Sequence, residues 1–526
     1  MFACIFVPNF PVAAVFRAEP ELRARAVAMV EGKPPLEKVF AVNESAARLG
    51  IAPGMTKAQA ELCAELTLRP RSALQESAAH AALLDCAQSF SPCVEDAACD
   101  TALLDLAGME SLLGSPPEMA QAIYCCAGDL GLDGNVALAS NPDAAVLAAR
   151  GFSGVTVIPP GKEGESLGSL PVEVLFADLP EPQKADNSEK EARRFLETRF
   201  LETLDRWGVR NLRALAALPE VALSERMGQE GVRLQQLARG AASRTLVPVE
   251  APAVFEEAVE LEYPIVLLEP LAFLLNRLLE QICARLASRA LNTQELRLTL
   301  ELESFSSVHH TQPAEQFQRT LRLPLPMLDA KLFLKLLQLD LNAHPPGAPI
   351  VKIHLAAEPA RPRSAQAGLF LPPSPEPEKL ELTLARIAGL VGEDRFGSLE
   401  LLDTHRAEAF RMRRFTSVSG AKAKPQKTAE EKSAVAALRM FRPALRAAVT
   451  LENGEPMRVV CSKKKEVQGT VLWKAGPWRA SGDWWERNAW ARDEWDIALQ
   501  TAEGVGLYRL VHDLLGGDWF VEGSYD

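Results

Sequence analysis

The residues best placed to do chemistry lie in Ser91–Gly108, SPCVEDAACDTALLDLAG. Val94 and Ala98–Leu106 read as two short strands meeting at a turn, and they carry Glu95, Asp96, Asp100 and Asp105. Carboxylates gathered on a hairpin suit two-metal phosphoryl transfer, because cations about 3.5–4 Å apart need a symmetric oxygen clamp. Spacing limits which members could share a site. Asp105 lies five residues beyond Asp100, so on a strand the two point to opposite faces.

A second candidate is Gln366-Ala367-Gly368-Leu369-Phe370, which fits the bacterial sliding-clamp-binding pentapeptide Q-x-x-L-F. Leu369 and Phe370 would fill one apolar pocket as adjacent anchors, while the Gln366 amide would hydrogen-bond at a polar subsite. The Pro-rich flanks suit a tether, and Ala367-Gly368 departs from the preferred middle residues. A third candidate is the C-terminal stretch, where Trp473, Trp478, Trp484, Trp485, Trp490, Trp495 and Trp519 cluster. Clustered Trp is partly core. Where exposed, Trp478, Trp484 and Trp485 would suit partner docking or single-strand contacts.

Composition bounds the rest. At 526 residues the chain should hold several domains. Its 48% hydrophobic and 24% charged content is ordinary for a globular protein. A net charge of −12 excludes an overall basic field that draws the chain onto nucleic acid, so any DNA contact must be local. The nine cysteines show no C-x-x-C spacing and read as reduced, mostly buried thiols, with no metal site or cofactor implied. MFACIFVPNFPVAAVFR lacks a basic leader and is broken by Pro8, Asn9 and Pro11, so a buried first strand is expected there. No apolar run reaches the ~20 residues that span a bilayer, and a cytoplasmic protein without membrane contact is expected.

The elements follow an α/β multidomain order. Phe2–Val7 and Val39–Val42 read as strands, Ser77–Gln88 and Pro117–Leu130 as helices, and Asn135–Leu138, Ala144–Arg150 and Val155–Ile158 as strand, helix and strand. Leu167–Gly240 reads as all-helical, with Gly208 between two helices. Pro252–Glu358 has β-α-β-β-α-β order. Its first helix carries Leu271, Leu275, Leu278, Ile282 and Leu286 on one stripe, with Asn276, Arg277, Glu280 and Arg285 opposite. Leu296, Leu298, Leu300 and Leu302 then alternate inward, Leu321, Leu323 and Leu325 continue the sheet, and Val351, Ile353 and Leu355 close it. The outward face carries Arg297, Arg322, Lys352 and His354 mixed with Glu295, Glu301 and Glu303. Arg297, Arg322 and Lys352 are the candidates for weak, sequence-independent DNA contact.

The hairpin phrase Cys99-Asp100-Thr101-Ala102-Leu103-Leu104-Asp105 resembles the palm hairpin of the Y-family translesion DNA polymerases, whose adjacent Asp-Glu pair holds the catalytic metals. AVNESAARLGIAPGM resembles their phrase leading into the fingers. The resemblance implies these domains: palm 1–165 with a fingers insertion at about 11–75, thumb 166–245, little finger 250–358 and tether 359–377. A helical extension 378–410, basic linker 411–446 and small Trp-rich β domain 447–526 follow.

Against the family pattern, Pro8 stands at the first-strand carboxylate, Asp100 at the second and Thr101 at the third. Ala13 falls at the aromatic steric gate, and Glu44 and Ala47 at the triphosphate-binding Tyr and Arg. The later Lys is absent around Phe152-Ser153, and the thumb's phosphate-binding glycines are replaced near Phe195–Phe200 by ETRF. The resemblance therefore implies a non-catalytic adaptor. Its expected partners are the sliding clamp, an error-prone C-family DNA polymerase and a RecA-like protein, in damage-induced mutagenesis. The alternative is a weakly active polymerase or nucleotidyltransferase using Asp100.

Overall fold

The computed structural model describes residues 1–176, 198–241, 244–249, 253–303, 316–362, 383–384, 386–387, 391, 395–402, 410–413, 437–462, 464, 466–485, 489–502 and 504–525. It forms two compact units, Met1–Leu390 and Val391–Asp526.

The first unit begins with eight strands: β1 (Phe2–Phe6), β2 (Ala26–Glu31), β3 (Lys38–Val42), β4 (Leu66–Pro70), β5 (Val94–Ala98), β6 (Thr101–Asp105), β7 (Asn135–Ala139) and β8 (Val155–Val157). Five of them make the palm-like sheet, in the order β5-β6-β1-β7-β8. β1 is central, and Ala3, Cys4 and Ile5 are all 0% exposed, as a strand covered on both faces requires. Ala3 and Ile5 pack with helices Ala73–Phe90 and Pro116–Asp129, while Cys4 packs with helix Pro142–Gly151. Side chains start these helices: Ser72 accepts from the Gln75 amide and Asn141 from the Ala144 amide, each satisfying an orphan donor.

The fingers form a separate sheet, ordered β3-β2-β4, in which sequence periodicity had not marked β2 or β4. Helix Phe10–Ala18 joins it to the palm, with Phe10, Ala13 and Ala14 in the palm core and Val12 and Val15 against the fingers sheet. The thumb is mainly helical where described, with Leu212–Ala216 and Glu220–Ala238, the latter broken by a kink at Gly228. Gly208, at φ 73, makes the left-handed turn after helical residues 198–206. Residues 244–249 then run beside the palm edge, where the Val249 amide donates to the Val94 carbonyl at 2.8 Å.

The little finger follows: β9 (Phe255–Ile265), helix Leu268–Ser288, β10 (Asn292–Leu302), β11 (Gln316–Met327), helix Ala330–Ala343 and β12 (Ile350–Ala360). The sheet order is β11-β10-β12-β9, with every neighbouring pair antiparallel. Leu296, Leu298 and Leu300 are 0% exposed, and burying each contributes about 1.5–3 kcal/mol. Val351 departs from its expected inward row. A register shift between Ile350 and Lys352 turns Ile350 into the core instead.

Arg285 is a larger correction. It was expected on the solvent face opposite the leucine stripe, yet it is 1% exposed, because its helix is covered on a second side by palm helix Ala73–Phe90. Its guanidinium donates to Asp85 at 2.7 Å, to Glu257 at 3.2 Å and to the Val254 and Glu256 carbonyls. Glu257 also accepts two bonds from the buried Arg17 of the palm, at 2.7 and 2.8 Å. Burial pushes the Asp85 carboxyl up, and Arg285 and Arg289 act against it.

The second unit contains a two-stranded ribbon, β13 (Ser398–Leu401) with β14 (Phe410–Arg413). It also contains a closed barrel of β15 (Leu438–Glu452), β16 (Glu455–Cys461), β17 (Gln468–Gly482), β18 (Trp490–Thr501), β19 (Gly504–Asp513) and β20 (Trp519–Tyr525). β20 pairs back onto β15, which leaves no open edge. Two expected boundaries shift. The barrel starts at Leu438, inside the stretch expected as linker, and β13 lies in the stretch expected as a helical extension.

Removing Arg285 leaves buried Asp85 with Arg289 alone and buried Glu257 with Arg17 alone, so Arg285→Ala should cost about 3–5 kcal/mol. Loss of Arg277, whose partner Glu21 is half exposed, should cost less than about 1 kcal/mol. Urea unfolding of the two variants measures this; equal shifts would show that the buried cluster carries no special weight.

Candidate functional site

The site forms where β1 ends against the β5–β6 turn. Phe6 stands opposite Thr101 in the antiparallel register, and the Val7 amide donates to the Asp100 carbonyl at 2.9 Å. The next residue, Pro8, leaves the strand. The structure therefore brings Pro8, Asp100 and Thr101 to one corner, as the sequence implied. Thr101 is 0% exposed and its hydroxyl donates to Asp100 Oδ1 at 2.7 Å.

Cationic side chains serve this corner. Arg150, from the last turn of helix Pro142–Gly151, reaches within 3.5 Å of Thr101 Oγ1, with its guanidinium over the Phe6 ring at 5.7 Å. Beside them the Cys4 thiol is pushed up to about 12 by burial, with Arg150 acting against the shift and Asp100 with it. Sequence reasoning missed Arg150, because a basic residue at a helix C-terminus is ordinarily a dipole partner.

The other acidic residues are committed elsewhere. Glu95 accepts two bonds from Arg244, at 2.7 and 2.8 Å, and one from the Val247 amide. Asp96 meets His80 Nε2 at 3.1 Å, while His80 Nδ1 lies 2.9 Å from the Cys99 carbonyl. Asp105 accepts from the Ala107 amide and shapes the turn after β6. Among the described residues no three His, Cys, Asp or Glu side chains converge as metal ligands. One carboxylate, a hydroxyl already bonded to it and a proline do not fit the two cations of a polymerase palm.

The positions that the resemblance assigns to a nucleotide carry neither an aromatic gate nor a cation. Ala13 is buried in its helix, Glu44 is exposed and pairs with Arg48, and Ala47 offers no cation to a phosphate. Phe152 packs against the palm core, and Ser153 is exposed. ETRF lies only partly within the described residues.

The outer face of the little-finger sheet is acidic on balance. Arg297 and Arg322 both bond Glu295, at 2.7 and 2.9 Å, and Lys352 bonds Glu301 at 3.0 Å. The strand registers put Glu256, Glu260 and Glu358 on the same face. Clamp-motif residues Gln366, Leu369 and Phe370 lie outside the described residues. In the barrel, Trp495 is core at 4% exposed, whereas Trp478, Trp484 and Trp485 are 49%, 81% and 67% exposed. Trp484 and Trp485 meet edge to face at 5.4 Å in the β17–β18 connection.

Residues 5–150 match the model of the impB/mucB/samB family. The chain is similar to Protein ImuB of Caulobacter vibrioides, with 25% identity over 362 residues, covering 68% of this chain and 72% of that protein. It is also similar to DNA polymerase IV of Dehalococcoides mccartyi, at 28% over 326 residues, covering 59% and 78%. Among solved structures, the insertion ternary complex of Dbh DNA polymerase aligns with 69% of this chain and all of its own, at 15% identity and a TM-score of 0.37.

His80 gives the corner a pH signature. Burial opposes its protonation, but the Asp96 carboxylate and Cys99 carbonyl outweigh it and raise the pKa above the ordinary value. A raised folded-state pKa adds stability that is complete below the unfolded value of about 6.5 and lost as pH rises through the folded one. His80→Gln should therefore lower the melting temperature more at mildly acidic than at alkaline pH; a pH-independent difference would mean the ion pair does not form.

Proposed function

From this ImuB-like, polymerase-like character we propose that the protein is a non-catalytic adaptor. It would link an error-prone C-family DNA polymerase and a RecA-like partner to the sliding clamp during damage-induced mutagenesis and translesion synthesis. The observation that carries this reading is the palm corner, where Pro8 and Thr101 stand beside Asp100 and Arg150 approaches from the facing helix. A palm kept intact without its metal clamp serves as scaffold rather than as catalyst.

The clamp contact is assigned to Gln366, Leu369 and Phe370, and partner docking to the exposed Trp478, Trp484 and Trp485. Exposed Trp supports such a role because it is enriched at binding hot spots. DNA contact through Arg297, Arg322 and Lys352 would be weak, since each is already bonded to a glutamate and a phosphate must compete. The protein would act in the cytoplasm and join the nucleoid when recruited.

Similarity to DNA polymerase IV favours one other reading, a weakly active polymerase using Asp100. Primer extension separates the two. The full chain should extend no primer with Mg²⁺ or Mn²⁺, and extension abolished by Asp100→Ala would establish the enzyme.

Clamp tethering has its own test. Replacing Gln366, Leu369 and Phe370 together with Ala should reduce clamp affinity at least about tenfold, with an unchanged circular dichroism spectrum. Unchanged anisotropy with labelled clamp would move the contact elsewhere.

A further inference from the structure

Between the little finger and the palm-and-fingers body lies an open cleft of about 650 Å³ that the adaptor reading leaves unused. One wall is helix Phe10–Ala18 with the end of β4; the other is β9 and the middle turns of helix Leu268–Ser288. Its floor mixes apolar surface, such as Val15, Val259 and Leu278, with charge.

The charges of the lining divide sharply. Each arginine is already held by glutamate: Arg17 by Glu257 at 2.7 Å, Arg69 by Glu19 at 2.9 Å, Arg277 by Glu21 at 2.9 Å and Arg71 by Glu76 at 2.7 Å. Glu260 and Glu262 on β9 are different. Both are exposed, and neither side chain makes a hydrogen bond or ion pair among the described residues. Two fingers cations, Lys57 and Arg69, lie within electrostatic reach of Glu262, but each is bonded to another glutamate, Glu37 at 3.1 Å and Glu19 at 2.9 Å. The uncommitted charge of the cleft is therefore negative.

Apolar surface gathers beside these carboxylates. Phe273 lines the cleft and is 63% exposed; beyond the lining, past Glu262, Tyr263 is 75% exposed, and Val266 and Leu267 are 71% and 69% exposed. An exposed aromatic ring bordered by uncommitted charge suits an interaction surface. A nucleic-acid backbone would meet only committed guanidiniums and two free carboxylates, which disfavours it.

We infer that this cleft docks a basic, amphipathic segment of a protein partner. Its aromatic or aliphatic anchors would pack on Phe273, and its Lys or Arg would meet Glu260 and Glu262. The mode is an apolar helix face laid in a groove, with charge at the rim setting orientation and partner choice. The inference stands apart from the adaptor reading, because it depends on the chemistry of the cleft and not on the palm or the clamp motif.

The test uses the full chain and three fluorescent probes at physiological salt. They are an amphipathic peptide with Leu and Phe anchors and Lys on its polar face, the same peptide with Glu for Lys, and an oligo-dT strand. The Lys peptide should bind at least about tenfold more tightly than either other probe. Phe273→Ser and the double variant Glu260→Lys with Glu262→Lys should each weaken it about tenfold or more. All three substituted positions are exposed, so the fold should persist, which circular dichroism checks. Glu110→Lys with Glu165→Lys, an equal charge change away from the cleft, should leave binding within about twofold. Equal loss in that control would reduce the effect to net charge and overturn the inference. So would binding that survives Phe273→Ser, or preferential binding of oligo-dT.

Discussion

The register of β1 against β6 is the constraint on which the functional corner depends. It fixes Phe6 opposite Thr101 and carries the chain past the hairpin turn at Val7 and Pro8. A slip of one residue would reverse every side chain on β1, moving Cys4 to the face of Ala3 and Ile5. Two separately packed cores hold that register, one on each face of the sheet. The backbone of a polymerase-like palm is thus held by its ladder and by apolar burial on both faces, without calling on a carboxylate at its corner.

That independence explains how the corner can change while the fold does not. Divalent cations in a palm neutralise carboxylates that would otherwise repel one another. Here protein cations serve the hairpin carboxylates, Arg244 for Glu95 and His80 for Asp96, and Arg150 stands close to Thr101. Fixed charge pairing recurs between palm and little finger, where Arg17 and Arg285 share Glu257. A buried pair of this kind contributes little net stability against an apolar alternative, but it fixes geometry because breaking it is costly.

Apolar periodicity made much of this legible from sequence. Strict leucine alternation marked β10, and the five-residue stripe marked helix Leu268–Ser288. The same reasoning misplaced Arg285, since a stripe identifies one buried face and says nothing of a second covered by another domain. β15 was hidden because Arg439, Arg442 and Arg446 read as a basic linker, although they lie on a strand of a closed barrel. The tryptophans divided in a way that composition could not foresee. Trp495 points inward with Ile497 and Leu499, while Trp484 and Trp485 stand out at a strand connection. In the palm corner, Pro8, Asp100 and Thr101 could be placed by motif, but Arg150 could not, since it reaches the corner only through the packing of its helix.

Manganese binding tests the central claim most directly. Mn²⁺ can be titrated into the full chain and into Asp100→Ala, with free ion followed by electron paramagnetic resonance. If fixed protein charge has replaced the metal clamp, the two titrations will superimpose. Stoichiometric uptake by the unaltered chain that disappears in Asp100→Ala would contradict the account and return the palm to the enzymes.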